Sequence, residues 1–366
     1  MNFIVRAWDR FRGSGDFAIT VPPLDGVLLP NTHLDEADHV LNIGEPDNLA
    51  SDGKHIWFSS GTELRQLDLA KKTSKLLRNF PAPITCFAPM GDNEFVVGLE
   101  SGKVVFCSGG KLDYTLVLEE LDGRAIRCPT AMAVTQEGEI LLCLGSQQCG
   151  SQEWKLDLMS RNSSGSVWRV NPATGVAQCL VDKLAFPSGI VSFHDGSFAF
   201  SEAWRHQLVL VDASGAKHIV QADIPGYPGK LNLDPVSGEI WMAIFAPRNQ
   251  LVEFVLREND YCDEMIASID PDYWIAPSLF PPRSHREPLQ GGALKQLGEL
   301  KAWAPSRSYG LAVRLDKDLQ PRQSFHSRAS GSRHGIVSCL QVETGVLLTS
   351  RGNNEIIKLK LGLLEQ

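Results

Sequence analysis

Short apolar runs separated by polar turns recur along most of the chain. Typical runs lie at residues 140–143, Gln207–Val211 and 346–349, and they are rich in the β-branched and aliphatic residues common in strands. The turns between runs carry pairs such as Glu137-Gly138 and Asp195-Gly196, which are typical of hairpins. The pattern therefore predicts antiparallel sheets built from successive hairpins.

The same group of strands recurs six times, at a spacing of about 40 to 50 residues, which is the period of propeller blades. The last unit lacks an outer strand, and residues 38–43 are predicted to supply it, which closes the ring and removes exposed sheet edges. The sequence therefore predicts an all-β fold, a six-bladed β-propeller that forms a single domain over residues 1–366. The inner strands of the six units are predicted to begin near Asn48, Ile84, Ala131, Gly189, Leu231 and Gly335.

Residues from about 250 to 306 break this pattern. The run 251–258, which continues to Met265, has apolar residues at helical spacing, and the proline-rich residues 277–282 must form a loop. We therefore predict a helical and loop insertion in blade five. It serves either as a cap on one end of the propeller or as a lid that shapes the channel mouth. Strand character resumes at residues 309–315.

Composition and charge exclude several classes of protein. The chain is 43% hydrophobic and 21% charged, which is ordinary for a globular protein. A net charge of −8, with no basic run, disfavours a nucleic-acid partner. Charges such as Arg6 and Asp9 interrupt the N-terminal segment, and no segment has the roughly 20 apolar residues of a membrane span. We expect a cytoplasmic protein without a membrane partner, and the oligomeric state stays open.

The cysteines show no CxxC pair, although the chain contains 8 of them. Several lie inside apolar runs, as Cys143 does. Free cysteine packs as a small apolar residue, so we predict buried thiols and no disulfide framework.

Five strings, most of them at blade entries, resemble one known family. The strings are Gly-Glu-Pro-Asp-Asn-Leu-Ala at 44–50, Phe-Pro-Ser-Gly-Ile at 186–190, Ser-Glu-Ala-Trp at 201–204, Gly-Tyr-Pro-Gly at 226–229 and Ser-Tyr-Gly-Leu-Ala-Val at 308–313. They resemble the strictosidine synthase-like and gluconolactonase (senescence marker protein) group of six-bladed propellers, over residues 40 to 361. The resemblance implies the fold and a site at one mouth of the channel. The group hosts unrelated reactions, among them hydrolysis of lactones and esters and condensation of an amine with an aldehyde.

The ligand set implied by the resemblance is largely missing here. The gluconolactonase branch holds a divalent cation such as calcium with a Glu, two Asn and an Asp. Glu45 matches the Glu, whereas the other positions fall on Pro129-Thr130, Ser188 and Gly229, so Glu45 alone is a weak metal candidate and we assign no cofactor. The condensing branch uses a Glu near the start of the last blade, where residues 333–341 contain none.

Ionisable and aromatic side chains are predicted to meet at the channel mouth, because the loops before the inner strands cluster there. Glu45 or Glu202 is the candidate base that activates water, and His334 with Arg351 is expected to stabilise the developing negative charge. Structural roles stay open for each, such as backbone capping for Glu45. The candidate substrate-binding residues are Ser188, Trp204, Tyr227, Lys230, Arg248, Arg333 and Arg351.

These observations favour a hydrolase of a small lactone or ester-like organic substrate. One alternative is a non-catalytic ligand-binding propeller, which the missing metal ligands favour. Another is a metal-free strictosidine synthase-like lyase or condensing enzyme.

Overall fold

Six four-stranded antiparallel sheets form the blades of a propeller in the part of the chain that the structure describes. The structure is a computed structural model, and it describes residues 21–91, 93–108, 114–281, 287, 295–296, 299–300, 307–360 and 362. The predicted all-β, six-bladed fold is confirmed. The predicted single domain includes residues 1–20, which lie outside the described residues. Parts of the predicted insertion also lie outside them, namely 282–286, 288–294, 297–298 and 301–306.

Blades one to five follow the chain from the inner to the outer strand, whereas the outer strand of blade six comes from the N-terminal part of the chain. The first strand is β1 (Asp38–Asn42). Blade one contains β2 (Pro46–Ser51), β3 (Ile56–Ser60), β4 (Glu63–Asp68) and β5 (Thr73–Asn79). Blade two contains β6 (Ile84–Gly91), β7 (Glu94–Leu99), β8 (Lys103–Ser108) and β9 (Tyr114–Leu118), and the small hairpin β10 (Glu120–Leu121) and β11 (Arg124–Ala125) follows it. Blade three contains β12 (Pro129–Val134), β13 (Ile140–Leu144), β14 (Gly165–Val170) and β15 (Ala177–Leu184).

The second half of the ring has the same plan. Blade four contains β16 (Pro187–Ser192), β17 (Phe198–Glu202), β18 (Gln207–Val211) and β19 (Lys217–Gln221). Blade five contains β20 (Gly226–Leu233), β21 (Ile240–Pro247), β24 (Gly310–Leu315) and β25 (Pro321–Ser327). An insertion between β21 and β24 contains the short strands β22 (Lys295–Gln296) and β23 (Glu299–Leu300). Blade six contains β26 (Ile336–Val342), β27 (Gly345–Ser350), β28 (Glu355–Lys360) and β1.

Short helices lie between these strands. The α-helices are α1 (His33–Glu36), α2 (Trp154–Met159), α3 (Gln250–Val255) and α4 (Asn259–Ser268). The 3₁₀ turns are Gly26–Leu28, Ser151–Glu153, Ala203–Arg205 and Pro271–Tyr273. Among the described residues, no helix combines the length and the apolar character that a bilayer crossing requires.

Burial along the strands reflects the radial stacking of the blades. Every residue of β13 is buried, because both faces of a central strand contact neighbouring blades. The outer strand β9 instead alternates between exposed and half-buried positions. Gly138 and Gly196 adopt φ angles of 78° and 82° in their hairpin turns, a backbone conformation that favours glycine.

Apolar clusters between adjacent blades hold the ring together. Each of six clusters combines residues from two neighbouring blades, and together they run around the whole ring. Between blades one and two, for example, Trp57 meets Phe95 edge to face with ring centroids 5.2 Å apart. Because one blade cannot bury its own apolar faces, each depends on the blades beside it.

The two ends of the described chain meet in blade six. Strand β1 pairs antiparallel with β28, from Asp38 opposite Lys358 to Asn42 opposite Glu355. Val40 is buried and packs into the cluster shared by blades six and one. Strand β1 therefore closes the ring both through backbone pairing and through apolar packing.

Three local features differ from the sequence-based expectation. The helical run of blade five is two helices, α3 and α4, separated by residues 256–258. Blade five also has an outer strand, β25, that the pattern did not indicate. A second insertion, residues 145–164 of blade three, contains α2 and went unpredicted. Both insertions contribute to the site described below.

Because β1 closes the ring, we expect Val40→Ala to lower the stability of the fold measurably. Removal of two buried methyl groups should lower the free energy of unfolding by about 1–3 kcal/mol, because a cavity remains between blades six and one. The measurement is urea unfolding followed by tryptophan fluorescence. The matched control is Val176→Ala, because Val176 is 69% exposed and its truncation should change the value by less than about 0.5 kcal/mol. Equal effects of the two substitutions would contradict the closing role of β1.

Candidate functional site

A cavity of about 810 Å³ lies on the propeller axis at one mouth of the channel. Its position follows from the topology, because all six inner strands begin at this end. Five inner strands contribute their second residue to the cavity floor, and β20 contributes a residue from its middle; these residues are Asp47, Thr85, Thr130, Ser188, Val337 and, in β20, Lys230.

The two insertions roof this cavity. Residues 151–156 of blade three and residues 271–274 and 278–281 of blade five line it, together with Glu287 and Arg307. The insertion of blade five therefore lines the channel mouth, and its role as a cap or as a lid stays a prediction. Aromatic side chains dominate the walls: Trp154, Phe186, Phe245, Tyr273, Trp274 and Phe280.

The centre of the floor carries an ion pair. Lys230 Nζ lies 2.7 Å from Asp47 Oδ1, and both side chains are less than one-fifth exposed. The same Asp47 oxygen accepts a hydrogen bond of 2.6 Å from the backbone N–H of Asn48. A second cavity of about 290 Å³ lies deeper in the channel, and Lys230 lines both cavities. The pair therefore marks the boundary between the mouth and the channel.

A looser pair lies at the side of the floor. Glu45 Oε1 is 4.0 Å from Arg351 Nη2, and the Glu45 side chain is 57% exposed. The backbone N–H of Glu45 donates to Asn354 Oδ1 at 3.1 Å, and its φ of 50° turns the chain sharply before β2. Arg351 Nε is buried and finds no hydrogen-bond acceptor among the described residues. The Glu45 carboxylate is therefore open to the cavity and faces a cation.

Two further cations belong to the roof. Arg307 donates to the backbone oxygens of Ala276 and Asp272 and lies 3.0 Å from Glu287, so it ties the insertion of blade five together. Lys155 Nζ donates to the Pro271 carbonyl oxygen at 3.3 Å and thereby joins the two insertions. Burial lowers the pKa of both Lys155 and Arg307.

The structure brings Glu45, Ser188, Lys230 and Arg351 of the predicted site residues together around the cavity. Glu202 lies elsewhere and is 1% exposed. Its carboxylate accepts hydrogen bonds from the Ala185 backbone N–H at 2.7 Å, from Gln207 at 2.6 Å and from Arg205. The Glu202 carboxylate stabilises the connection between blades three and four. Because it does not reach the cavity, the prediction that Glu202 acts as a base is withdrawn.

His334 and Arg333 also lie away from the cavity lining. His334 is fully buried, with Nδ1 2.8 Å from Ser308 Oγ and Nε2 donating to the Arg328 carbonyl oxygen at 2.8 Å. Burial lowers the pKa of His334. Arg333 pairs with Glu355 at 3.0 Å and donates to the carbonyl oxygens of residues 34, 35 and 37. Both side chains stabilise the segment that leads into blade six, and neither lines the cavity.

The remaining three candidates support the roof from below. Trp204 Nε1 donates to Asp157 Oδ1 at 2.7 Å, which ties helix α2 to blade four. Tyr227 is fully buried, and burial raises the pKa of its hydroxyl. Arg248 lies 3.3 Å from Glu253 at the start of helix α3. Their contribution is therefore to the placement of the insertions.

Sequence reasoning missed the roof residues, such as Trp154, Lys155 and Trp274. One signal was available: residues 145–164 form a connection inside blade three far longer than a hairpin turn. No sequence pattern indicated that this segment meets the insertion of blade five.

Sequence and structure comparisons agree on one group of proteins. No family model matches the chain. Strictosidine synthase-like 3 of Arabidopsis thaliana is 29% identical over 140 residues, 37% of this chain and 35% of that protein. Strictosidine synthase-like 13 of the same plant is 28% identical over 151 residues, 40% of this chain and 37% of that protein. The matches thus span little more than a third of these curated relatives.

The fold is shared with two solved bacterial structures. A calcium-binding regucalcin from Agrobacterium tumefaciens has a TM-score of 0.53 at 15% identity, over 93% of this chain and 95% of that one. A gluconolactonase from Xanthomonas campestris has a TM-score of 0.56 at 11% identity, over 88% of each chain. The resemblance to the strictosidine synthase-like and gluconolactonase propellers is confirmed. At these identities the structural likeness establishes the architecture.

The channel centre of this propeller does not fit a divalent cation. At the positions matched to metal ligands, the Thr130 hydroxyl donates to the Pro187 carbonyl oxygen at 2.6 Å, and the Ser188 hydroxyl donates to the Pro228 carbonyl oxygen at 2.8 Å. The ammonium of Lys230 occupies the floor. Nowhere in the described ranges do three His, Cys, Asp or Glu side chains cluster in a metal-binding arrangement.

A buried carboxylate anchors helix α3 beneath the roof. Glu253 Oε1 lies 3.3 Å from Arg248 Nε and 3.5 Å from His206 Nε2. Burial raises the pKa of Glu253, but the hydrogen bond and charge of His206, together with Arg248, outweigh it and lower the pKa to about 2. The ionised form is therefore the one that the folded protein prefers.

Stability should depend on Glu253 in a defined pH range. The folded pKa of about 2 lies below the ordinary value of 4.5 for an unfolded chain, so the unfolded state binds the proton more readily. The stabilisation is present above about pH 4.5 and is lost as the pH falls toward 2. At about pH 5, Glu253→Gln should lower the free energy of unfolding by about 2–3 kcal/mol.

Denaturant unfolding at several pH values measures this effect. The difference between the wild type and Glu253→Gln should shrink as the pH falls from 5 toward about 2. Glu264→Gln is the matched control, since Glu264 is an exposed residue of helix α4. A difference that stays constant over this range would show that the ionised carboxylate is not the stabilising form.

Proposed function

We propose that the chain is a hydrolase that acts on a small lactone or ester-like substrate in the roofed cavity. The observation that carries the proposal is the Glu45 carboxylate, which is 57% exposed and has a cationic neighbour, Arg351, at 4.0 Å. Asp47, the other carboxylate of the floor, is held by Lys230 at 2.7 Å. Glu45 is therefore the floor carboxylate that is available to accept a proton from water.

The shape of the cavity supports a small organic ligand. Its volume of about 810 Å³ lies within the usual range of small-molecule sites. Trp154 and Phe245 meet edge to face, with ring centroids 5.7 Å apart, and form part of an apolar wall. An apolar wall opposite charged groups suits a substrate with a hydrocarbon body and a carbonyl group at one end.

The proposed reaction adds water across the acyl–oxygen bond. Glu45 takes a proton from water while the water oxygen bonds to the carbonyl carbon, and the carbonyl oxygen becomes negatively charged. Arg351 and Lys230 are cations on the same floor that stabilise this charge. The carbon–oxygen bond to the leaving group then breaks, and Glu45 returns its proton to the leaving oxygen. The products are an acid and an alcohol, or a hydroxy acid from a lactone.

The comparisons bear differently on the alternatives. The gluconolactonase of similar fold supports hydrolysis, whereas the strictosidine synthase-like relatives support a condensing reaction. At the start of blade six this chain presents Val337 to the cavity. Valine transfers no proton, and this favours hydrolysis over condensation.

Glu45→Gln should reduce hydrolysis strongly. The amide keeps the size of the side chain but cannot accept the proton, so kcat should fall by about 10²- to 10⁴-fold with a smaller change in KM. The measurement is steady-state hydrolysis across a panel of aliphatic and aryl-substituted lactones and esters.

Glu343→Gln provides the control, because Glu343 is an exposed residue of a distant turn. Unchanged kcat in the Glu45 variant would remove Glu45 from the mechanism. Absence of hydrolysis by the wild type, with ligand binding retained, would support the non-catalytic propeller instead.

A further inference from the structure

The ion pair between Lys230 and Asp47 spans the central channel. Lys230 lies in β20 of blade five, and Asp47 lies in β2 of blade one. Blade six separates these blades on the ring, so a 2.7 Å contact between the two side chains must cross the channel. The pair stands where the mouth cavity meets the deeper one.

We propose that the Lys230 ammonium is the oxygen-binding cation at the channel centre and stands in place of a bound metal ion. It selects ligands that carry a carboxylate, or an ester carbonyl oxygen, at the end that faces the floor. This inference rests on the proposed substrate class at the same site. It adds the group that recognises the substrate and predicts that recognition needs no metal.

The donor capacity of Lys230 supports this assignment. An ammonium group has three N–H donors, and Asp47 Oδ1 is the ion-pair partner of Lys230 Nζ at 2.7 Å. The Lys230 side chain is 18% exposed and lines both cavities, so its ammonium is accessible to a ligand there. A ligand oxygen in the cavity can therefore accept a hydrogen bond from this ammonium.

Asp47 holds the ammonium in a fixed position. Its Oδ1 also accepts from the Asn48 N–H, and the buried Asn48 side chain donates to Ser59 Oγ at 2.8 Å. The carboxylate is thus held by its own strand, and the next residue ties that strand to β3 of blade one. Such an anchored partner keeps the ammonium directed at the channel without ordering a flexible side chain at each binding event.

The same pair disfavours divalent cations. A cation at the channel centre would lie beside the ammonium, and like charges repel more strongly where water is partly excluded. Asp47 is already neutralised by Lys230, which removes its carboxylate from a ligand set. The floor should therefore bind oxygen anions and reject calcium.

Isothermal titration with 3-phenylpropionate tests the proposal, because this probe joins an aromatic body to a carboxylate. The wild type should bind it more tightly than the neutral 3-phenylpropionamide. Lys230→Met should weaken carboxylate binding by about tenfold or more, the effect of losing a charge-assisted hydrogen bond, and should change amide binding little. Lys217→Met is the matched control, since Lys217 is exposed on the outer strand β19 of blade four.

Lys230→Met leaves Asp47 without its partner and could therefore unfold the protein. A second variant separates loss of ligand binding from loss of the fold. The double variant Asp47→Asn, Lys230→Gln removes both charges; asparagine has the length of aspartate, and glutamine is one bond shorter than lysine. It should fold, as judged by circular dichroism and thermal unfolding, and should lose the preference for the carboxylate over the amide. The same three proteins are titrated with calcium chloride, and no stoichiometric binding to the wild type is expected.

Two kinds of result overturn the proposal. One is carboxylate binding that is absent from the wild type or unchanged in both variants. The other is one calcium ion bound per chain in the wild type and lost in the double variant. Failure of the hydrolase proposal is seen separately, as absence of turnover, because these titrations involve no reaction.

Discussion

Mutual coverage of apolar blade faces is the constraint on which this structure depends. A four-stranded blade has two apolar faces and too few residues to cover them itself, so each face is buried against the next blade. Six clusters satisfy this requirement around the ring, and the cluster between blades six and one requires β1. Closure therefore links the N-terminal strand to the last strand across nearly the whole described chain. Without that strand, blade six would expose an edge and part of its core.

The same constraint creates the site. Radial stacking points the inner strands along one axis, so their starting residues converge although they are distant in sequence. Asp47 and Lys230, for example, are 2.7 Å apart across the channel. The two insertions then convert an open mouth into a roofed cavity. Contacts between the insertions and the blades, such as Trp204 with Asp157, hold the roof in place. The ring of blades thus gives the position of the site, and the insertions give its shape.

The channel centre of this propeller carries a cation that belongs to the protein itself. The regucalcin of similar fold is a calcium-binding protein. Here hydroxyls at Thr130 and Ser188 are turned toward backbone carbonyls, and the cation on the floor is the side chain of Lys230. A propeller scaffold tolerates such replacements, because its stability resides in the inter-blade clusters and not in the channel. The chemistry of the mouth can therefore change while the fold persists.

The sequence by itself determined the fold, because strand periodicity, hairpin turns and a repeat are local properties of the chain. It also indicated Glu45, Ser188, Lys230 and Arg351 as mouth residues, because each lies beside a strand end whose position in a blade is fixed. Only the tertiary structure showed that the polar atoms of Glu202 and His334 are engaged in buried hydrogen bonds and do not face the cavity. Only the tertiary structure joined Lys155 of blade three to Pro271 of blade five in the roof. The physical reason is that the partner of a polar side chain depends on which distant segments meet, and local periodicity carries no information about that.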